Sequence, residues 1–137
     1  MLFSKPLNDI VHFNFRYTYG NYRGAFVEYI VLKGDTEYGV SLKLRGDDED
    51  NRVEFSVDAD TVKRLEDILN TYKVSKWDNF NKSNKHVLDG NSFSLSVKTG
   101  SGVSVGAHGY MSYPRNYAEV KQALDDLFVN IYRGLTD

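Results

Sequence analysis

The strand that decides the fold reads Val11-His12-Phe13-Asn14-Phe15-Arg16-Tyr17-Thr18. Apolar and aromatic residues alternate with polar ones along it, so one face of the strand carries rings and the other carries hydrogen-bonding groups. This is the clearest strand pattern in the chain. It indicates a sheet with one apolar face, and such a face is stable when a second layer covers it.

Further strands are indicated along the chain. Residues 26–33 are apolar on both faces, which is typical of a central strand. Gly34-Asp35 connects them by a short hairpin to an alternating run over 38–44, because glycine supplies the positive φ that a tight turn needs. The remaining strand patterns cover 53–57, 93–97 and 103–107.

Two amphipathic helices are predicted. Asp58 is a suitable N-cap for the first, because its carboxylate can accept from the free amides of the first turn. Asn116 and Glu119 have the spacing of a capping box at the start of the second helix, and Gly134 lies near its end. The apolar positions recur at helical spacing at Val62, Leu65, Ile68, Leu69 and Tyr72 in the first helix and at Tyr117, Val120, Leu124, Leu127, Phe128 and Ile131 in the second.

The chain therefore predicts the element order ββββαββα. We expect an α+β fold, a two-layer sandwich in which two helices pack on one face of a mainly antiparallel sheet of about six strands. A chain of 137 residues fits a single domain over residues 1–137. The other sheet face is expected to be polar and to carry His12, Asn14, Arg16, Ser41, Lys43, Glu54 and the serines of the last hairpin.

Composition excludes several kinds of chemistry. The chain has no cysteine, so it forms no disulfide, thiolate nucleophile or cysteine-ligated zinc site. A formal net charge of -2 gives no general attraction for nucleic acid or anionic lipid, and no segment approaches the roughly 18 apolar residues of a membrane span. We expect no nucleic-acid partner and no membrane association. The N-terminus lacks the pattern of a secretory signal, so we expect a cytoplasmic protein.

The longest run without helical or strand periodicity covers residues 74–91 and contains the only tryptophan. Long loops in compact domains are usually functional or mobile. Trp77 and Phe80 favour a hydrophobic lid over the sheet edge, with an aromatic platform for a ligand as the alternative. Asp78 and Asp89 have the residue type of an acid/base pair, although Asp89 with its following glycine is more typical of a turn.

Several short elements of the C-terminal half occur together. They read Trp77-Asp78-Asn79-Phe80, Asp89-Gly90-Asn91-Ser92-Phe93-Ser94-Leu95, Gly106-Ala107-His108-Gly109-Tyr110 and Tyr113-Pro114-Arg115-Asn116-Tyr117. The set resembles uncharacterised small bacterial proteins that carry a W-[DN]-x-F element, a D-G-x-S-[FW]-x-L strand and a G-x-x-x-[YF]-P-x-N-[YF] element before the last helix. The resemblance implies one domain of bacterial type, and it brings no known activity with it.

Other chemistry-bearing patterns favour structural interpretations. The acidic run 46–51 lacks the ligand spacing of an EF-hand and indicates a solvated turn. His12 and His108 would meet on the polar face if their strands were neighbours, but no two histidines have the spacing of a helical zinc pair. The pattern G-x-S-x-G at 102–106 lies within a predicted strand and not at a strand-to-helix turn, so it does not indicate a serine hydrolase. Positive charge beside the rings comes from Lys76, Lys82 and Lys85.

These patterns predict a non-catalytic binding or interaction domain that holds a protein partner through the 74–91 loop, the 106–116 loop or the polar sheet face. The alternative is a small-molecule enzyme that uses His108 with Asp78 or Asp89 and Arg115. A third hypothesis is a homo-oligomer in which an exposed strand edge pairs between copies. The sequence offers no catalytic set, metal site or cofactor motif. The candidate binding residues are Trp77, Asp78, Phe80, Asp89, His108, Tyr113 and Arg115.

Overall fold

The protein is an α+β domain built on one sheet, as the sequence predicts. The computed structural model describes residues 6–19, 25–46, 51–84, 86 and 91–136. In chain order its elements are β1 (Ile10–Thr18), β2 (Phe26–Lys33), β3 (Tyr38–Lys43), β4 (Val53–Val57), α1 (Ala59–Thr71), a 3₁₀ helix (Val74–Trp77), β5 (Asn81–Ser83), β6 (Ser92–Thr99), β7 (Ser104–Tyr110) and α2 (Tyr117–Thr136). No helix in these described ranges has both the length and the apolar composition needed to cross a membrane.

Strand β1 lies at the centre of the sheet, whose strand order is β4-β3-β2-β1-β6-β7-β5. Phe15 of β1 lies opposite Tyr29 of β2 and Leu95 of β6, so all three side chains share one face. Every neighbouring pair is antiparallel except β5 and β7, which are parallel. The sheet is therefore mixed at one edge. The pairings of β2 with β3 and of β6 with β7 are the two predicted hairpins, whereas the pairing of β1 with β6 joins strands that are far apart in the chain.

The prediction of about six strands is wrong, because the described residues form seven. The additional strand β5 and the 3₁₀ helix both fall in the 74–91 stretch, which was predicted to lack regular structure. β5 reads Asn-Lys-Ser and has no apolar alternation that could signal a strand. It forms because the edge of β7 offers unpaired backbone groups, with the His108 amide donating to Phe80 O at 2.9 Å and the Asn84 amide donating to Tyr110 O at 2.8 Å.

One face of the sheet and the two helices share a single apolar core. Val62, Leu65 and Leu69 of α1 are buried in it, together with Val120, Leu124 and Phe128 of α2. The Phe128 ring stacks on the Tyr29 ring at 4.6 Å between centroids and lies 6.2 Å from the Phe13 ring. The aromatic stripe of β1 and β2 is thus covered by α2, as the alternation of β1 requires.

The opposite face is not the solvated surface that the sequence predicts. It carries His12, Asn14 and Arg16 as expected, but Phe26, Glu28 and Lys43 on the same face are buried, with Lys43 only 2% exposed. Paired charges and long aliphatic stems allow this burial. The contacts are Arg52 Nη2 and Asn14 Nδ2 to the Glu28 carboxylate at 2.5 and 3.2 Å, and Lys43 Nζ to Phe26 O at 2.8 Å.

The Asp125 carboxylate, whose side chain is 20% exposed, links α2 to the sheet. Asp125 Oδ1 accepts from the Tyr17 hydroxyl at 2.9 Å and from the Tyr29 hydroxyl at 2.5 Å, and its other oxygen accepts from Lys121 Nζ at 3.1 Å. Burial, followed by the Asp125 carboxylate, raises the pKa of both tyrosines above the ordinary value. Both hydroxyls therefore remain protonated donors over the physiological pH range.

Replacing Asp125 by alanine should lower the free energy of unfolding by about 2–5 kcal/mol, because two buried hydroxyls lose their acceptor. The matched control is Asp126→Ala, since Asp126 is exposed on the same helix and accepts a hydrogen bond from the exposed Gln122 at 2.9 Å. We expect that control to cost less than about 1 kcal/mol. Urea unfolding followed by circular dichroism measures both, and equal losses would contradict the role given to Asp125.

Stability should fall steeply in alkaline solution. Burial also raises the pKa of Tyr117, so Tyr17, Tyr29 and Tyr117 all hold their protons more tightly when folded than when unfolded. Below the unfolded pKa, which is near 10, the three tyrosines make their full contribution to the free energy of unfolding. As the pH rises above that value, each tyrosine lowers the free energy of unfolding by about 1.4 kcal/mol per pH unit. Urea unfolding from about pH 9 to about pH 11 measures this slope. A Tyr29→Phe variant should show a shallower slope, and a flat profile would contradict the account.

Candidate functional site

A basic cleft of about 520 Å³ opens where the C-terminal end of α1 and the 3₁₀ helix meet the segment before α2. Four of its lining residues are cationic, namely Lys73, Lys76, Lys82 and Arg115, and none is acidic. The charge is local, since the whole chain has a net charge of -2. The other lining residues are Thr71, Tyr72, Trp77, Phe80, Tyr113, Pro114 and Asn116.

The end of α1 directs the chain around this cleft. Lys73 adopts a left-handed conformation with φ of 55°, which stops the helix and turns the chain into the 3₁₀ helix. The turn buries Val74 and Trp77 on one side, while Lys73 and Lys76 stay exposed on the other. In this segment the apolar residues Val74 and Trp77 therefore face the core, and the basic residues Lys73 and Lys76 face the cleft.

Trp77 joins the two segments that form the cleft. Its ring is only 3% exposed, and its Nε1 donates to the Arg115 carbonyl oxygen at 2.9 Å. The ring also lies 6.0 Å from the Tyr117 ring and 6.1 Å from the Phe93 ring. With its face packed in the core and its only donor in use, Trp77 offers no free surface on which a ligand ring could stack.

Phe80 and Tyr113 form the aromatic wall of the cleft and belong to a ring cluster that also contains Phe93 and Tyr117. Tyr113 packs on Tyr117 at 4.6 Å and on Phe93 at 5.9 Å, and Phe80 lies 6.1 Å from Phe93. Tyr113 is nevertheless 40% exposed, and partial burial raises its pKa. Phe80 is half-buried, with Lys82 Nζ 5.5 Å from its ring centroid. Exposed ring surface therefore lies directly beside positive charge.

Asp78 has a backbone role. Its Oδ1 accepts from the Gly106 amide at 2.9 Å, and the Asn79 amide donates to Gly106 O at 2.9 Å. These bonds align residues 78–84 along the edge of β7. Asp78 does not line the cleft.

The remaining predicted residues are not brought together with the cleft. His108 shares the face of Ser94 on β7, opposite to the face of Phe93, so the sheet separates it from Arg115. His12 and His108 do not meet, because their strands are not neighbours and β6 lies between them. Asp89 and most of the acidic run lie outside the described residues. Within the described ranges, no three His, Asp or Glu side chains are placed to hold a metal ion.

Sequence reasoning misses Lys73, and it names Arg115 as a candidate without connecting it to the lysines. Lys76 and Lys82 add positive charge near Trp77 and Phe80 in the sequence, whereas Arg115 lies more than thirty positions further along the chain. A usable signal was the density of lysine at 73, 76 and 82 in a chain whose net charge is negative. Only folding brings Arg115 to the same place.

The chain matches no protein-family model and no curated protein. The resemblance to small bacterial proteins therefore stays a prediction. Two of its elements do meet in space, because Trp77 of the first donates to Arg115 of the last.

Gly109 of β7 sets how closely the aromatic cluster packs. A Cβ there would collide with the Ser112 carbonyl oxygen and lie 2.9 Å from the Phe93 ring, whereas a Cβ at Gly106 would meet nothing within 4 Å. We expect Gly109→Ala to lower the free energy of unfolding by about 1–3 kcal/mol or more, because a tightly packed site must shift. Gly106→Ala should change it by less than about 0.5 kcal/mol. Thermal and urea unfolding of the pair test this, and equal effects would contradict it.

Proposed function

We propose that this protein is a non-catalytic binding domain whose basic cleft holds an acidic segment of a protein partner. The observation that carries the proposal is the lining of the cleft, with four cationic side chains, no carboxylate and exposed aromatic surface. We propose a cytoplasmic setting for this function, following the sequence-based prediction.

The charges of the cleft support an anionic ligand because no carboxylate of the described residues forms an ion pair with them. Among the residues that the structure describes, ion pairs involve Lys33, Arg52 and Lys121, and none involves a cleft residue. Like charges gathered in one concavity repel one another and attract anions, and the attraction steers an acidic partner toward the site. An acidic ligand would relieve the repulsion that the free protein carries.

The aromatic wall supports a peptide over a simple anion. Tyr113 and Phe80 present ring surface next to Lys82 and Arg115, so an apolar side chain flanking the acidic residues can pack while the acidic groups meet the cations. The volume of about 520 Å³ suits a few side chains and not a whole folded domain. The site therefore favours a short acidic segment with adjacent apolar residues.

The alternative, a small-molecule enzyme, has less support. It requires His108 to act with Arg115, and these residues belong to opposite sides of the sheet. The described lining also contains neither a histidine nor a carboxylate to serve as a general acid or base.

Charge reversal in the cleft should weaken binding of an acidic probe. Lys76→Glu/Arg115→Glu should reduce affinity for a hexaglutamate peptide about 10- to 100-fold at low salt, because two attractive contacts become repulsive. The control Lys63→Glu/Arg64→Glu changes net charge equally on the exposed face of α1, outside the cleft. Calorimetry measures affinity, and the single tryptophan reports on the cleft by fluorescence through its bond to the Arg115 segment.

Three outcomes would contradict the proposal. The first is no binding of hexaglutamate by the unmodified protein at low salt. The second is an equal loss in both double variants, which would indicate a response to net charge alone. The third is tighter binding of a single-stranded oligothymidine than of the peptide, which would identify a nucleic-acid site.

A further inference from the structure

The sheet has one edge strand suited to pairing. β4 pairs only with β3 and ends the strand order of the described residues. Its core-facing residues Val53, Phe55 and Val57 are only half-buried, whereas Val40 and Leu42 of the adjacent strand are 3% and 0% exposed. The apolar face of the sheet thus continues to β4, where its side chains are only partly buried. An additional strand paired with β4 would bury more of these side chains.

The other edge lacks these properties. β5 has three residues, all exposed, and includes Lys82. Short, charged edges are a common protection against pairing with another chain. β4 is longer, carries one charge, Glu54, and contains no proline. Of the two edges, β4 is the one that can accept a strand.

We propose that two copies of this protein pair through β4, antiparallel and centred on Phe55, to form one continuous sheet with the helices of both copies on the same side. The strand reads Val53-Glu54-Phe55-Ser56-Val57, so its pattern of apolar and polar residues is the same in both directions. A two-fold axis at Phe55 therefore sets apolar residues opposite apolar ones and polar opposite polar, as an isologous interface requires.

The position of Glu54 favours this register. When the paired β4 strands are centred on Phe55, Glu54 lies opposite Ser56 of the other copy, so no like charges face each other. A shift centred on Glu54 would set Glu54 against itself, and a shift centred on Ser56 would set Glu54 against Asp58. Parallel pairing in register would also set Glu54 against itself. Like charges directly opposite are destabilising, so among the antiparallel registers centred on Glu54, Phe55 and Ser56 only the one centred on Phe55 avoids such a contact.

The geometry has a functional consequence beyond the proposed cleft. The cleft includes Lys82 of β5, so it lies toward the sheet edge opposite to β4. A dimer joined at β4 carries its two clefts at its far ends. A partner with two acidic segments would then bind both, and its second contact would be favoured by effective concentration.

Sedimentation equilibrium from about 10 µM to about 1 mM tests the dimer, since an interface built on a short strand pair is smaller than a standard stable one. Ser56→Lys sets a lysine opposite Glu54 twice per dimer and should tighten dimerisation about 2- to 30-fold, and Ser56→Glu should weaken it by a similar factor. The control Ser104→Glu adds the same charge at an exposed position of β7, away from β4, and should leave dimerisation unchanged.

Cysteine crosslinking tests the register, and the absence of native cysteine makes it unambiguous. Oxidation of a mixture of Val53→Cys and Val57→Cys proteins should give a crosslinked heterodimer, because these positions lie opposite each other. Phe55→Cys should crosslink to itself. Ser56→Cys should not, because its two copies would be separated by about 8 Å, beyond the reach of a disulfide.

A monomer at every concentration would overturn the proposal. A dimer that ignores the sign of the charge at position 56, or that crosslinks through Ser56→Cys in place of the Val53 and Val57 pair, would also overturn it. These measurements use no acidic ligand, so their failure is distinct from failure of the proposed cleft.

Discussion

The arrangement of α2 on the sheet depends on two hydrogen bonds, which the Tyr17 and Tyr29 hydroxyls donate to the Asp125 carboxylate. Tyr17 and Tyr29 come from the two central strands, and Asp125 comes from the middle of α2. The Asp125 side chain is only 20% exposed, so its carboxylate depends on these two hydrogen bonds and on Lys121, and the observed placement of α2 supplies them. The segment that leads into α2 is placed with it. That segment supplies Arg115 and Tyr113 to the cleft.

The cleft results from a separation between apolar and cationic side chains in the same short segment. Trp77 is withdrawn into the core and binds the Arg115 carbonyl oxygen, while Lys73 and Lys76 remain at the surface. The buried tryptophan forms the base of the cleft, and the lysines give its surface a positive charge. Since Trp77 belongs to the core, a ligand of the proposed cleft would meet a site that is already formed, which would lower the entropic cost of binding.

The two faces of the sheet show why alternation predicts orientation better than burial. Polar residues of β1 do point away from the helices, as their spacing requires. On that same face, however, Glu28 and Lys43 are buried by Arg52 and the ring of Phe26. Side chains from separate strands cover one another there. Sequence spacing gives the face of a residue, but its cover depends on neighbours that are distant in the chain.

The sequence by itself determined the class of the fold, both helices, six of the seven strands and the apolar face, because these follow from local periodicity and capping. It also identified Trp77, Phe80, Tyr113 and Arg115 as candidates without showing which of them meet. Only the tertiary structure decided the rest. β5 forms because a neighbouring edge offers backbone partners, and His108 is separated from the cleft because the sheet stands between them. Both outcomes depend on contacts between residues far apart in the chain, which no local pattern encodes.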